Sequence, residues 1–125
     1  MRLTNLTLIL ETEDIRQTVK FYTELLGFEC ESLFTDEENP TWTSFRKDNI
    51  VIMFSSRNCH STIEKPTMTG SLYFNIENVN DVWDHLKDKV KVGYPIEDFD
   101  YGVREFAIYD CNGYLLQFGQ EITEM

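Results

Sequence analysis

Apolar and polar side chains alternate, imperfectly, over Leu3–Glu11, which predicts a strand. The period then changes. Ile15, Val19, Tyr22, Leu25 and Leu26 form the stripe of an amphipathic helix. Asp14, with Gln17 three places on, can accept backbone N–H bonds at its start, and Gly27 supplies a C′ stop. Strands are predicted again at Phe28–Phe34, Thr41–Arg46 and Ile50–Ser55, broken by the acidic loop Asp36-Glu37-Glu38-Asn39-Pro40 and the turn Lys47-Asp48-Asn49. Arg57–Thr69 has no clear period, contains Pro66 and reads as a linker.

The same order then recurs. Ser71–Glu77 predicts a strand. Asn78 can cap a helix reaching about Lys87, with Val79, Val82, Trp83 and Leu86 as its stripe. Val90–Ile96 is a strand, Glu97–Gly102 an acidic turn region, and Arg104–Tyr109 with Tyr114–Gly119 a hairpin around Asp110-Cys111-Asn112-Gly113. Each half reads β-α-β-β-β. A shift of 64 positions aligns Leu8 with Leu72, Leu10 with Phe74, Ile15 with Val79, Val19 with Trp83 and Tyr22 with Leu86. The chain is therefore an α+β protein of one domain, with a first module at about 1–56, a linker at about 57–69 and a second module at about 70–125.

Strand parity sorts the faces. Leu8, Leu10, Ile52, Phe54, Leu72, Phe74, Ile76, Leu116 and Phe118 share one face and are large and apolar, so that face should lie under the helices. The other face carries Thr7, Ile9, Met53, Ser55, Ser71, Tyr73, Asn75, Leu115 and Gln117. A neutral, mixed face suits a pocket for an organic ligand; a second small core is the alternative.

Charge narrows the partners. The formal charge is −11, which argues against nucleic acid and anionic membranes and suits a cationic ligand or a solvated acidic surface. No apolar run reaches membrane-spanning length. Cys30, Cys59 and Cys111 form no CxxC pair and no secretory signal precedes the domain, so they read as reduced thiols in a cytoplasmic protein. There is no glycine-rich phosphate loop and no nucleophile elbow. Cys59-His60 are neighbours in sequence only, which is not the pairing a thiol catalyst needs. Glu105, beside Arg104, can be read as a catalytic base, a surface ion pair or a ligand-orienting group.

Three stretches carry a resemblance. Asp14–Phe28 resembles the first helix of the glyoxalase, bleomycin-resistance and extradiol-dioxygenase superfamily, the vicinal oxygen chelate fold. Ser71–Leu86 resembles its second βα unit. Tyr101–Gln120 resembles its final hairpin, with Cys111 for the proline and Tyr114 for the asparagine of the usual Asp-Pro-x-Gly-Asn turn. The resemblance implies two βαβββ modules forming an incomplete eight-stranded barrel around a cleft, and a homodimer. The enzymes of that superfamily chelate a divalent metal with His and Glu from the first and last strands of each module. The corresponding positions here are Thr7, Met53, Ser71 and Gln117. A hydroxyl, a thioether and an amide make a poor set for a transition metal, so no metal and no cofactor is expected.

The bleomycin-resistance branch, whose members sequester a cationic drug without altering it, is the closest pattern. Tyr101-Gly102-Val103-Arg104-Glu105-Phe106 resembles its Trp-Gly-Arg-Glu-Phe segment, with Tyr for Trp and Val103 inserted. The resemblance implies a binding site for a small molecule, with a bleomycin-like ligand and antibiotic resistance as one version of the role. Its expected residues are Phe34, Trp42, Met53, Ser71, Tyr73, Asp100, Tyr101, Gly102, Arg104, Glu105 and Gln117, with Asp36, Glu37, Glu38 and Asp98 adding negative charge and no residue assigned to catalysis. The alternatives are a glyoxalase/dioxygenase-like enzyme, either a metal-free lyase or isomerase using Glu105 or Tyr73 or a metal enzyme with unexpected ligands, and a dimer with a vestigial cleft.

Overall fold

The predicted strands and helices form in the predicted order, with shifted ends. The computed structural model describes residues 1–36, 38–57 and 64–125. Glu37 and the Cys59-His60 pair lie outside the described residues. The chain divides into two compact units, Met1–Thr67 and Met68–Met125. Each contains one βαβββ module.

In the first unit, β1 (Leu8–Thr12) leads to α1 (Ile15–Lys20), which runs on through a wider π-helical turn over Phe21–Leu25. The cap forms as the sequence predicts: the Gln17 N–H donates to Asp14 Oδ1 at 3.0 Å. Gly27 ends the helix at φ +75°, where a side chain would be strained. Then come β2 (Glu29–Asp36), β3 (Asn39–Lys47) and β4 (Ile50–Ser56). The sheet order is β1-β4-β3-β2, with β1 parallel to β4 and the rest antiparallel. Tyr22 is fully buried under the sheet, its ring stacked on Phe45 at 5.3 Å and tilted against Phe54 at 5.1 Å.

The second unit repeats this plan with β5 (Leu72–Asn75), α2 (Val79–Leu86), β6 (Lys91–Phe99), β7 (Val103–Tyr109) and β8 (Leu115–Glu121). Its sheet order is β5-β8-β7-β6, again with one parallel pair, β5 and β8. The repeat extends to register: Leu8 pairs with Ile52 in one sheet, Leu72 with Leu116 in the other. Phe118 stacks between Phe74 and Phe106, 5.1 Å from each, and Trp83 of α2 reaches Phe106 at the same distance.

Two local expectations change. Asn78 stands at the N-cap of α2, but its side chain makes no capping bond. The Val79 N–H instead donates to Gln120 Oε1 at 3.1 Å, so β8 caps the helix that packs on it. The β7–β8 turn is closed by Asp110 and not by glycine alone. Its buried Oδ1 accepts from the N–H groups of Asn112 (2.8 Å) and Tyr114 (2.9 Å), while Gly113 takes φ +87°. That side-chain clamp holds the start of β8, and with it Gln117, in register.

Candidate functional site: a tyrosine–glutamate array on the second sheet

In the second unit, the sheet face opposite α2 carries Tyr73 on β5, Gln117 and Gly119 on β8, Glu105 and Ala107 on β7, and Tyr94 on β6. Tyr73 is opposite Gln117, Glu105 opposite Gly119, and Ala107 opposite both Gln117 and Tyr94. Two of these residues are small, and each lies under a tyrosine that crosses a whole strand.

Tyr73 starts on β5 and must pass over β8 to reach β7. It crosses at Gly119 and donates its hydroxyl hydrogen to Glu105 Oε1 at 2.8 Å. A Cβ on Gly119 would stand 2.0 Å from the Tyr73 hydroxyl oxygen and 3.0 Å from Val103 Cγ1, so glycine is required there by space. Tyr94 starts on β6 and passes over Ala107. Register shifts flank it on both sides, between Val92 and Tyr94 and between Tyr94 and Glu97, and these bulges re-aim its ring. Its hydroxyl donates to Glu105 Oε2 and accepts from Gln117 Nε2 at 2.8 Å. Ser71 Oγ closes the series by donating to Gln117 Oε1.

The hydrogens therefore run one way, from Ser71 to Gln117 to Tyr94 to Glu105, with Tyr73 joining from the other side. Glu105 is 2% exposed and receives a hydroxyl on each carboxylate oxygen. Loss of solvent, and then the hydrogen bond to Glu105, push the Tyr94 hydroxyl up to about 12. The same causes, in the same order, raise Tyr73 further. Neither tyrosine is poised to ionise near neutral pH.

An aromatic strip continues from Tyr94. Its ring meets Phe99 edge-on at 5.8 Å, and Phe99 stacks on Tyr101 at 5.5 Å. Tyr101 is 64% exposed, so its outer face is open. Partial desolvation, then a hydrogen bond to Glu105, raise its hydroxyl as well.

Of the residues expected from sequence, Ser71, Tyr73, Glu105 and Gln117 are brought together here, with Tyr101 beside them. Arg104 is not. Successive residues of a strand face opposite ways, so Arg104 lies on the α2 side, bonded to Asp98 Oδ1 at 2.6 Å and to Asn80 Oδ1 at 3.3 Å. The Arg104–Glu105 surface ion pair does not form for the same reason. The Asp98 carboxyl is lowered by its hydrogen bond to Arg104. These residues, with Ile96 and Glu97, line a shallow open depression of about 280 Å³. Gly102 is exposed, takes φ +82° and turns the chain between β6 and β7; Asp100 is exposed in that turn. Phe34, Trp42 and Met53 belong to the first unit, on the sheet face opposite α1. Phe34 is 62% exposed and pairs across the strands with half-buried Trp42; Met53 is half-buried opposite Ser44. Thr7 is half-buried just ahead of β1.

Tyr94 does not stand out from the sequence pattern. Its one signal was a large hydroxylated ring between Gly93 and Pro95, two residues that disturb a strand. The need for Gly119 was equally invisible, because it arises only where Tyr73 crosses β8.

The sequence model of the Glyoxalase/Bleomycin resistance protein/Dioxygenase superfamily matches residues 6–118. The chain belongs to that superfamily. No curated protein matches it in sequence. Among solved structures it is similar to a glyoxalase-related enzyme from Clostridium phytofermentans (TM-score 0.79, 18% identity, 98% of each chain covered). It is also similar to TioX from Micromonospora sp. ML1 (TM-score 0.76, 13% identity, 94% of this chain and 98% of that one). A glyoxalase/bleomycin resistance protein/dioxygenase from Nocardioides matches at TM-score 0.70 and 15% identity, over 98% of this chain and 85% of the other. At these identities the likeness is one of fold.

The superfamily's metal chemistry finds little to hold in the second unit. Ser71 and Gln117, which the sequence resemblance sets at two of the metal-ligand positions, hydrogen-bond to each other. The one carboxylate nearby is covered by tyrosine hydroxyls on both oxygens, and no group of three His, Cys, Asp or Glu side chains suited to a metal ion occurs among the described residues. This donor set does not fit a transition metal.

Proposed function

We propose that this chain binds a small organic molecule on the tyrosine–glutamate face of its second unit, and that it does so without a metal ion. The observation that carries the reading is the Ser71–Gln117 hydrogen bond. Two positions that the sequence resemblance matches to metal ligands of the superfamily's enzymes spend their polar atoms on each other and on the tyrosine array. A pre-ordered set of hydrogen-bonding groups next to an open aromatic strip suits capture of an organic guest. Sequestration of a bleomycin-like drug, and with it antibiotic resistance, is the narrowest form of this proposal. A homodimer in the cytoplasm is its expected setting, on the habit of the superfamily and the absence of cysteine pairing motifs in the sequence.

Catalysis by proton transfer is the second reading, favoured by the hydroxyls gathered on Glu105. The raised tyrosine hydroxyls weigh against it, since a tyrosinate base would be scarce at neutral pH.

Two measurements test the proposal. Elemental analysis of protein purified without chelators should find no stoichiometric transition metal; one metal per chain would overturn the metal-free reading. A thermal-shift screen of organic ligands, bleomycin among them, should yield at least one that raises Tm, because a ligand that binds only the native state must stabilise it. A screen with no responder, in which Gln117→Leu also leaves every property unchanged, would leave the face without a binding role.

A further inference from the structure

We propose that the ligand of this face is an organic ammonium ion carrying N–H donors, held between the oxygens of Tyr73 and Tyr94 and the rings of Phe99 and Tyr101, with Glu105 as the counter-charge beneath. The inference rests on the binding reading above and names its ligand class.

Glu105 is a buried carboxylate, 2% exposed, met by hydroxyls and by no cationic side chain among the described residues. The nearest candidate in sequence, Arg104, is committed to Asp98 across the sheet. Buried carboxylates are costly unless a cation or a full set of donors meets them. Here hydroxyls alone give partial compensation, Tyr73 and Tyr94 on one oxygen each and Tyr101 beside them. A cation arriving at the face would complete it.

Hydrogen-bond direction then sets the kind of cation. The hydroxyl hydrogens of Ser71, Tyr73 and Tyr94 and one hydrogen of the Gln117 amide are spent within the array, on a path that ends at Glu105. After donating, the Tyr73 oxygen keeps its lone pairs. The Tyr94 oxygen, which also accepts from Gln117, keeps one. The outer surface of the array is thus rich in acceptors with negative charge behind it. Such a surface calls for N–H donors on a positive centre. An alkali or alkaline-earth ion would seek several anionic or carbonyl oxygens and would find one screened carboxylate.

Aromatic geometry adds the second contact. The edge-on Tyr94–Phe99 pair and the stacked Phe99–Tyr101 pair form a step of ring surfaces beside the tyrosyl oxygens, with Tyr101 open to solvent. An ammonium, and an aromatic group attached to it, can lie against those rings. The net charge of −11 draws cations toward the protein as a whole.

The test uses a matched pair of probes. The full chain is titrated with 2-phenylethylammonium chloride and with 2-phenylethanol, its neutral counterpart, by calorimetry or by NMR shifts of the Gln117 side-chain amide. The ammonium should bind about tenfold or more tightly than the alcohol. Glu105→Gln should abolish that preference by weakening the ammonium and sparing the alcohol. Tyr101→Ala, at a 64% exposed position, should weaken the ammonium by about threefold to tenfold and leave the alcohol less affected. Equal affinity for both probes, unchanged in Glu105→Gln, would overturn the ammonium inference while leaving the binding reading intact. Calcium or potassium chloride alone producing the same shifts would overturn it in favour of an inorganic ion. Silence toward both probes overturns it too, and reaches the binding reading only if the wider ligand screen is silent as well.

Discussion

The two sheets of this protein share a plan and differ in what they do with it. Ile9 opposite Met53 in the first sheet corresponds to Tyr73 opposite Gln117 in the second. The residue opposite Ser55 is Trp42; the residue opposite Gly119, at the equivalent place, is Glu105. On the helix side both sheets bury stacked aromatic rings. On the other side the first presents a thioether, an indole and an exposed Phe34, whereas the second presents a directed chain of hydrogen bonds ending on a buried carboxylate. The comparison teaches that register and topology fix where side chains stand and leave their chemistry open. Two small residues, Ala107 and Gly119, turn the second face into an array, because they let tyrosines cross strands.

The shared half of the comparison is the place to look for the largest effect. Phe54→Ala and Phe118→Ala remove equivalent buried rings, 0% and 7% exposed. Each should cost about 3–5 kcal/mol by urea unfolding, with Phe54 the larger. A loss under about 1 kcal/mol at Phe118 would mean that the two cores are not equivalent.

Next comes the residue that separates the faces. Gly119→Ala sets a methyl group 2.0 Å from the Tyr73 oxygen, so the ring must leave Glu105. The expected cost is about 1–3 kcal/mol for a buried carboxylate that loses a donor. The Tyr73 hydroxyl should fall back toward its ordinary value of 10.0. The same stability as wild type, with Tyr73 still raised, would refute the crossing. Ser55, which has a side chain at the matching position, should accept alanine with little change.

The array should also show itself in alkali. Tyr94 and Tyr73 are raised above the ordinary value, so the folded state favours their protonated hydroxyls. That contribution is fully present below about pH 10 and is lost as pH rises through about 12, where Tyr94 ionises. Ultraviolet titration of tyrosinate should find Tyr94 and Tyr73 protonated well above pH 10, and Glu105→Gln should lower both. Ionisation of every tyrosine near pH 10 would show that the hydrogen bonds to Glu105 do not persist in solution.

The smallest effect sharpens the contrast at Met53 and Gln117. Gln117→Leu keeps the volume but breaks the path from Ser71 to Tyr94, and should lower stability by about 1 kcal/mol or less for a half-buried group. Its effect on ligand affinity should be larger than that. Met53→Leu should alter neither by a measurable amount. Collapse of folding in Gln117→Leu would instead make the array a structural core.

The sequence by itself determined the order of strands and helices, the 64-residue repeat and the buried face. These follow from local periods of apolar residues, and burial of such residues drives the fold wherever they lie. It also marked Ser71 and Gln117 as unsuited to a metal, since ligand chemistry is a property of side-chain type. Only the tertiary structure decided which polar groups meet. Whether Tyr73 reaches Glu105 depends on the register of β5, β8 and β7 together, and on a glycine at the crossing. Whether Tyr94 joins them depends on two bulges in β6. Arg104 and Glu105, adjacent in the chain, part to opposite faces because a strand alternates. Hydrogen bonds between strands are fixed by distances of a few ångströms across non-local pairings, and no local pattern along the chain encodes them.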